Sequence, residues 1–484
     1  MTYARCSSIS LRGIDAEVLT IEASRDAGLP SVTVVAQFEH PYREIRDRVR
    51  AAITNSASSP EWPSERLTIS TSPQHLPLTS AHDLGVAVAV LTSELGVSCS
   101  DRVAFIAELG LDGRLRPVRG ILAAVLGARE AGIDTVVVAE DALAHLVVVE
   151  GVTVLGARDL SAVLRWLHGR ASLTSAPREQ FVVQPPALDP GWLAGQQSAA
   201  FALEVAAAGG HHLGLAGPTG SGKTLLAQCL PALLPPLSRH DALELAAIHS
   251  LRYLPETPRI FTTLAPFAAP HHSTSVNALI GGGTGSAYPG SVSLAHHGVL
   301  FLDELGEFSR ATLEMLRWPL QEREVRIARR DGAVRFPAAF QLVAATSHQP
   351  PLTRTAAMIA DHIDVWATLS SRSAARARGV AGDSIEAVCE RVHTARELAA
   401  ARWAAHGIST NAEVSAALLR DQHRLPGDVD QPIDAAVRAG NLSLRGADSV
   451  RRVAWTVADL RSHEIPTATD VLAARNLRRG LHQQ

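Results

Sequence analysis

Residues 211–234 read HHLGLAGPTGSGKTLLAQCLPALL, and Lys223 within them is the only lysine of a 484-residue chain that carries 45 basic residues. An arginine-biased composition converts a lysine wherever a guanidinium can serve, so this exception marks a position that needs a compact ammonium. A buried-strand pattern, HHLGLAG, runs directly into GPTGSGKT (217–224), and a helical pattern, LLAQCLPALL, leaves it. Strand, glycine-rich loop and helix in that order are the context that a GxxxxGK[ST] phosphate loop requires. The reading is a nucleotide site built by Gly217, Pro218, Thr219, Gly220, Ser221, Gly222, Lys223 and Thr224. In such a loop the backbone N–H groups and the helix N-terminus cradle phosphates. The lysine reaches the β and γ phosphates, and the threonine hydroxyl serves Mg²⁺.

A second stretch strengthens this reading. VLFLDE (299–304) has four apolar residues followed by two acids, the pattern of a buried strand that delivers carboxylates at its C-terminal end. Asp303 is placed to hold Mg²⁺ through water, and Glu304 to polarise an attacking water.

The rest of the chain sets bounds. The net charge of −3 argues against a protein coated by a basic surface, and only 371–484 carries more basic than acidic groups, 16 against 13. There is no basic-then-apolar leader and no uninterrupted apolar run of about 18 residues, so the expectation is a cytoplasmic protein without a membrane partner. Cys6, Cys99, Cys229 and Cys389 lie too far apart for a CxxC zinc site and are expected as reduced core thiols. Residues 1–172 mix strand patterns (VLTIEA, PSVTVVAQF, RLTIST, TVVVAED, VTVLGA) with helical ones (REIRDRVRAAI, GILAAVLGAREAG). A proline-containing polar stretch at 173–190 reads as a linker, 191–370 as the nucleotide-binding core, and 371–484 as helices only. In that last segment Ile385, Val388, Cys389 and Val392 share one helical face.

APHHSTSVNALIGGGTGSAYPGSVSLAHHGVLFLDELGEF (269–308) resembles the signature of the magnesium-chelatase-like AAA+ ATPases, in particular their ComM/YifB group. AELGLDGRLRPVRGILAAVLGAREAG (107–132) resembles that group's N-terminal domain, and NLSLRGADSVRRVAWTVADL (441–460) its C-terminal helical domain. The resemblance implies an α/β protein of three parts: a Lon-protease-like α+β domain, an AAA+ core with a parallel sheet, and a helical lid. It also implies ATP and Mg²⁺ as cofactors, assembly into a ring of six, and single-stranded or branched DNA as partner. Lon proteolysis itself is not expected, because residues 1–172 contain no lysine to activate Ser80. Arg354 lies where the family carries an arginine finger, and Arg445 matches its second-sensor arginine. Where the family has a sensor asparagine this chain has Ser347, a shorter donor. The family's cysteine-rich loop is absent, and its Asp-Arg-Ile-Asp is here Asp361, His362, Ile363 and Asp364.

LQEREVRIARRDGAVRFPAAFQ (320–341) alternates on both sides of Asp331 and Gly332, a hairpin signal that groups Arg323, Arg326, Arg329, Arg330 and Arg335. The resemblance implies a hairpin projecting into the ring's pore, where Arg326, Arg329, Arg330 and Arg335 track a phosphate backbone; a solvated or intersubunit hairpin is the alternative. The pairs His271/His272 and His296/His297 invite a metal reading, but adjacent residues do not share a face of a regular helix or strand, so each pair is expected to chelate poorly. Three functions stay open: a motor acting on DNA, a nucleotide-dependent scaffold with little turnover, and a magnesium-chelatase motor subunit.

Overall fold

The computed structural model describes residues 2–35, 39–56, 62–176, 196–254, 261–283, 286–329, 332–347, 354–370 and 383–479. Its strands form two large sheets. The first has eight strands and is built on a long hairpin, Thr2–Arg12 paired with Asp15–Asp26, which closes at Arg12↔Asp15 around Gly13 in the left-handed region (φ 70). Antiparallel Arg66–Ser72 and then Ser31–Val35 extend one side. Val103–Ile106, Thr135–Ala139 and Thr153–Ala157 extend the other side in parallel. The two-residue strand Thr174–Ser175, inside the stretch read as a linker, pairs with Thr153–Ala157 and so belongs to this sheet.

Both faces of this sheet are covered. Helix Asp83–Leu95 is buried from Asp83 to Ser93, and it lies so close that a Cβ on Gly85 would meet Ile21 at 2.8 Å. Its run Leu84–Leu91 is apolar all round and has no polar face to give water, so it sits under helix Glu39–Asn55, whose Arg48 pairs with the buried Asp83 at 2.7 Å. On the opposite face, helix Ile121–Glu130 packs Val125 and Ala128 onto Ile9, Ala104 and Val136.

The second sheet is wholly parallel, in the order Phe267–Ala268, Val299–Leu302, Gln341–Thr346, Leu213–Ala216, Val365–Thr368. Its three central strands are continuously buried, as sheets covered on both faces require. The strand before the glycine loop and the strand before the two acids are separated by one strand only, and all three point their C-terminal ends the same way. That is the α/β arrangement expected from the octapeptide.

Helices in the second half start on serine caps: the side chains of Ser238, Ser275, Ser309, Ser384, Ser415 and Ser443 each accept the backbone N–H three residues on. Helix Ile385–Trp403 lies on helix Gln197–Gly209, with Val388 and Val392 in the core, Ile385 and Cys389 against it, and Arg391 reaching Glu204 at 2.5 Å. Burial raises the Cys389 thiol above its ordinary range, as expected of a packed rather than a reactive cysteine. Among the described residues no helix is long and apolar enough to cross a membrane.

The two sheets are not independent. Helix Arg239–Arg252, which follows the nucleotide-loop helix, packs Leu243 and Ala246 into the cluster under Ile121–Glu130. Gly120 donates its N–H to Ser250 O at 2.7 Å, and a Cβ there would strike both Leu11 and Leu251.

Candidate nucleotide site

Leu213–Ala216 delivers the chain into the loop, where Gly220 (φ 78) and Gly222 (φ 100) take the left-handed conformation that only glycine enters freely. Helix Lys223–Leu233 starts at once, so its first N–H groups open into the loop. Gly217 anchors the entry: its N–H donates to Thr346 O at 3.1 Å, and a Cβ would meet Leu369 O at 2.7 Å.

Lys223 is buried, and its Nζ donates to the Gly217 and Pro218 carbonyls at 2.8 and 3.2 Å. The same ammonium lies 3.9 Å from Glu304 Oε1. Thr224 Oγ1 donates to Asp303 Oδ2 at 3.3 Å. Glu304 sits at φ 50, ψ 63, a conformation that costs a non-glycine residue about 1–3 kcal/mol and persists only when its surroundings hold it. They do so here: the Glu304 N–H donates to Asp303 Oδ1 at 3.1 Å, and Ser347 donates to Glu304 Oε2 from its N–H (3.1 Å) and its hydroxyl (2.7 Å). Ser347 follows the central strand Gln341–Thr346, which is why it emerges beside both neighbouring strand ends.

The structure thus brings Lys223, Thr224, Asp303, Glu304 and Ser347 together. The donors suit a magnesium nucleotide. Thr224 and Asp303 offer hard oxygens at adjacent positions, and the hydroxyl of Ser221 is buried inside the loop with no protein partner among the described residues.

The other sequence candidates lie elsewhere. Arg354 opens helix Arg354–Ala360, of which only the backbone is described at 354–356. Arg445 lies in the first turn of helix Leu444–Leu460 and donates Nη2 to His362 Nδ1 at 2.8 Å. Burial, and then the neighbouring Arg445 charge, lower His362 to about 4, so the imidazole is neutral and accepts the guanidinium proton. The histidine that departs from the family's pattern is therefore the partner of the arginine that matches it.

The arginine hairpin forms from Glu324–Arg329 and Gly332–Pro337, closing at Arg329↔Gly332 with Arg326 opposite Arg335. Both of these are exposed, whereas Val325, Val334 and Phe336 are buried. Arg326 pairs with Glu324 and lies 5.3 Å from the Trp318 ring centre; Arg323 pairs with Glu413 at 2.5 Å. Arg329 instead lines a cleft of about 730 Å³ between the hairpin and the first sheet, and Arg330 lies outside the described residues. The hairpin also meets the turn at Gly13, whose Cβ would strike Val334 and the Arg335 carbonyl.

Ser80 lines that cleft too. The nearby imidazole of His82 is no substitute base: its Nδ1 accepts the Thr79 N–H at 2.9 Å, its Nε2 lies 3.1 Å from Ile9 O, and burial lowers it to about 4.

The pair His296/His297 has an irregular backbone that its spacing does not reveal. His297 sits at φ 58, outside helix and strand, and this turns both imidazoles of the 296/297 pair to the same carboxylate, with Nε2 atoms 3.2 and 3.3 Å from Glu244 Oε2. Residues the sequence did not single out include Gln196, which donates to Ser221 O at 3.0 Å, and Asp364, which joins the second sheet to the C-terminal helices by accepting from Ser449 at 2.5 Å. Gln196 has no motif spacing that marks it, and Asp364 was visible only as part of a departure.

Comparison with known proteins agrees with this architecture. Residues 191–361 match the model described as magnesium chelatase, subunit ChlI; residues 21–142 match subunit ChlI of Mg-chelatase, and residues 382–478 its C-terminal part. The protein Rv2897c of Mycobacterium tuberculosis is 43% identical over 99% of both chains. YifB of Escherichia coli is 34% identical over 94% of this chain and 93% of its own. Competence protein ComM of Haemophilus influenzae is 33% identical over 96% of this chain and 94% of its own. With three family models matched in chain order and relatives alike from end to end, the chain belongs to the magnesium-chelatase subunit ChlI family of AAA+ proteins, alongside YifB and ComM.

Proposed function

We propose that this protein is an ATP-hydrolysing AAA+ motor that assembles into a ring and acts on DNA. The observation that carries the reading is the convergence of Lys223, Thr224, Asp303, Glu304 and Ser347 at three parallel strand ends around a glycine loop. In this reading the first sheet's domain, carried past 172 by the pairing of Thr174–Ser175, is a docking scaffold, the stretch from there to 190 a linker, 191–370 the motor core and 371–484 its lid.

Bound Mg²⁺ and ATP supply the electrophilic terminal phosphate and the cation that neutralises charge developing on its oxygens. The chain's residues divide the remaining work. Loop N–H groups and the Lys223 ammonium bind phosphate oxygens, Thr224 and Asp303 hold the cation, and Glu304 orients a water. Ser347 fixes the Glu304 carboxylate through two hydrogen bonds. Arg445, steered by His362, senses the nucleotide from the lid, and Arg354 acts on the ATP of a neighbouring subunit. DNA as the partner rests on the exposed Arg326/Arg335 pair and on likeness to a protein named for competence.

A second reading has its own observation. Glu304 is engaged by Ser347 on one oxygen and approached by Lys223 on the other. A carboxylate so committed suits a protein that binds ATP and turns it over slowly, as a scaffold does. ATP hydrolysis by the purified protein with and without single-stranded and forked DNA, with Lys223→Ala and Glu304→Gln as controls, separates the two. DNA-stimulated turnover lost in both variants supports the motor. Tight ATP binding without turnover supports the scaffold.

A further inference from the structure

We propose that Asp241, Glu244 and His297, joined by His240, form a binding site for a divalent transition-metal ion of the zinc type, separate from the nucleotide site.

Three of these residues come from the first turns of helix Arg239–Arg252. His240 and Glu244 are four residues apart and so share a helix face, and the donor atoms of His240, Asp241 and Glu244 all lie within 4.8 Å of one another. The fourth comes from across the fold. His297, turned by its left-handed backbone, places Nε2 3.3 Å from Glu244 Oε2 and 3.7 Å from Asp241 Oδ1. Two donors each about 2.0–2.1 Å from a tetrahedral ion stand about 3.3 Å apart. The spacings of His297 Nε2 to Glu244 Oε2 and to Asp241 Oδ1 are of the size that donors arranged around a common centre take.

His296 takes a different part. Its Nδ1 accepts the Ala339 N–H at 2.9 Å, so in the neutral ring the proton is on Nε2, which points at Glu244 Oε2 from 3.2 Å. A protonated nitrogen does not ligate. His296 therefore donates to Glu244 and orients that carboxylate, the outer-shell partner that metal-ligating carboxylates usually have. Asp241 is oriented in the same way, with Oδ2 accepting from Ser238 Oγ at 2.7 Å, which leaves Oδ1 on the His297 side. Two imidazoles with two carboxylates are a donor set for zinc rather than for magnesium, which prefers oxygen and retains water.

The site's place in the fold gives it a role. His297 precedes the strand Val299–Leu302 at the end opposite Asp303 and Glu304, about 13 Å along a four-residue strand. An ion here clamps helix Arg239–Arg252, which docks on the first sheet's helix Ile121–Glu130, to the strand that carries the acids of the nucleotide site.

The test uses the full-length chain, stripped with a chelator, dialysed, and titrated with Zn²⁺ in competition with a chromophoric chelator. The expected result is one tightly held ion per chain and, on Co²⁺ substitution, the visible absorption of a tetrahedral site. Glu244→Gln and His297→Gln each lose the ion, while Thr224→Ala keeps it. His296→Gln keeps the stoichiometry with affinity lowered about 10- to 100-fold. Circular dichroism reports whether each variant is folded, and Asp241→Asn gives a further ligand variant should one of the others not fold. Absence of a stoichiometric ion in the wild-type chain, or its full retention in folded His297→Gln and Asp241→Asn, overturns the proposal and leaves a hydrogen-bonded trio that only holds the helix.

Discussion

Asp364→Asn is the substitution that most directly probes how the second sheet is fastened to the C-terminal helices. The Asp364 carboxylate is buried just before strand Val365–Thr368. It accepts from Ser449 Oγ at 2.5 Å and lies 3.4 Å from His211 Nδ1 and 3.8 Å from Arg452 Nη2. Burial alone would raise its pKa, but His211, Arg452 and Ser449 outweigh it and hold the group well below the ordinary carboxylate range. Removing one partner of a buried charged cluster leaves the others uncompensated and costs about 3–5 kcal/mol. The amide keeps the shape and one acceptor, so a loss of about 3 kcal/mol is expected. Urea denaturation followed by tryptophan fluorescence reads this region through Trp366, Trp403 and Trp455; at roughly 2 kcal/mol/M a 3 kcal/mol loss moves the midpoint by about 1.5 M. The sign of the pH dependence is fixed as well. A carboxyl with a depressed folded pKa contributes fully above its unfolded value near 3.9 and loses that contribution as pH falls toward the folded value. The gap between wild type and variant should therefore be unchanged from pH 8 to 5 and shrink below about 4. A midpoint shift under about 0.3 M, or a gap that closes between pH 8 and 5, would refute an ionised Asp364 at the centre of this junction.

Three further outcomes are expected. Lys223→Ala and Glu304→Gln should each reduce ATP turnover by at least about 100-fold, measured by phosphate release, while thermal stability without nucleotide stays close to wild type. Gly214→Ala puts a methyl 2.2 Å from the Trp366 ring, in a strand with no room to yield, and should destabilise the chain by about 1–3 kcal/mol, read as a lower midpoint in the same urea experiment. Chains carrying Arg354→Ala mixed with chains carrying Lys223→Ala should regain part of the activity that each lacks alone; no recovery in a mixing series would exclude action of Arg354 between subunits.

Much of the nucleotide site could be read from sequence because its parts are local. A glycine loop has to be contiguous to wrap a phosphate, and four apolar residues before two acids already describe a buried strand and its exit. Ser347 was identified as a position, but its two hydrogen bonds to Glu304 depend on strand order, which no single segment encodes. The same holds for Arg445 and His362, 83 residues apart. The strand Thr2–Arg12 is hard to read in sequence, because TYARCSSISLR is rich in small polar residues and alternates weakly. Helix Asp83–Leu95 is equally hidden: with every residue from Asp83 to Ser93 buried, it carries no 3.6-residue contrast. The convergence of His296 and His297 on Glu244 is not legible in the sequence, because His297 is in neither helix nor strand and the facing rule does not reach it.

The contact at Gly120 bears on how the molecule withstands being cut. Gly120 and Ser250 share a hydrogen bond, and Leu251 fills the space that a side chain on Gly120 would take, while Ala246 is buried among residues of the first sheet's helix layer. A protease that severs the chain between 177 and 195 should therefore yield two fragments that travel together through gel filtration until denaturant is added. Expressed without its first 190 residues, the remainder would present Ala246 and Leu251 to water and should precipitate or seek another surface.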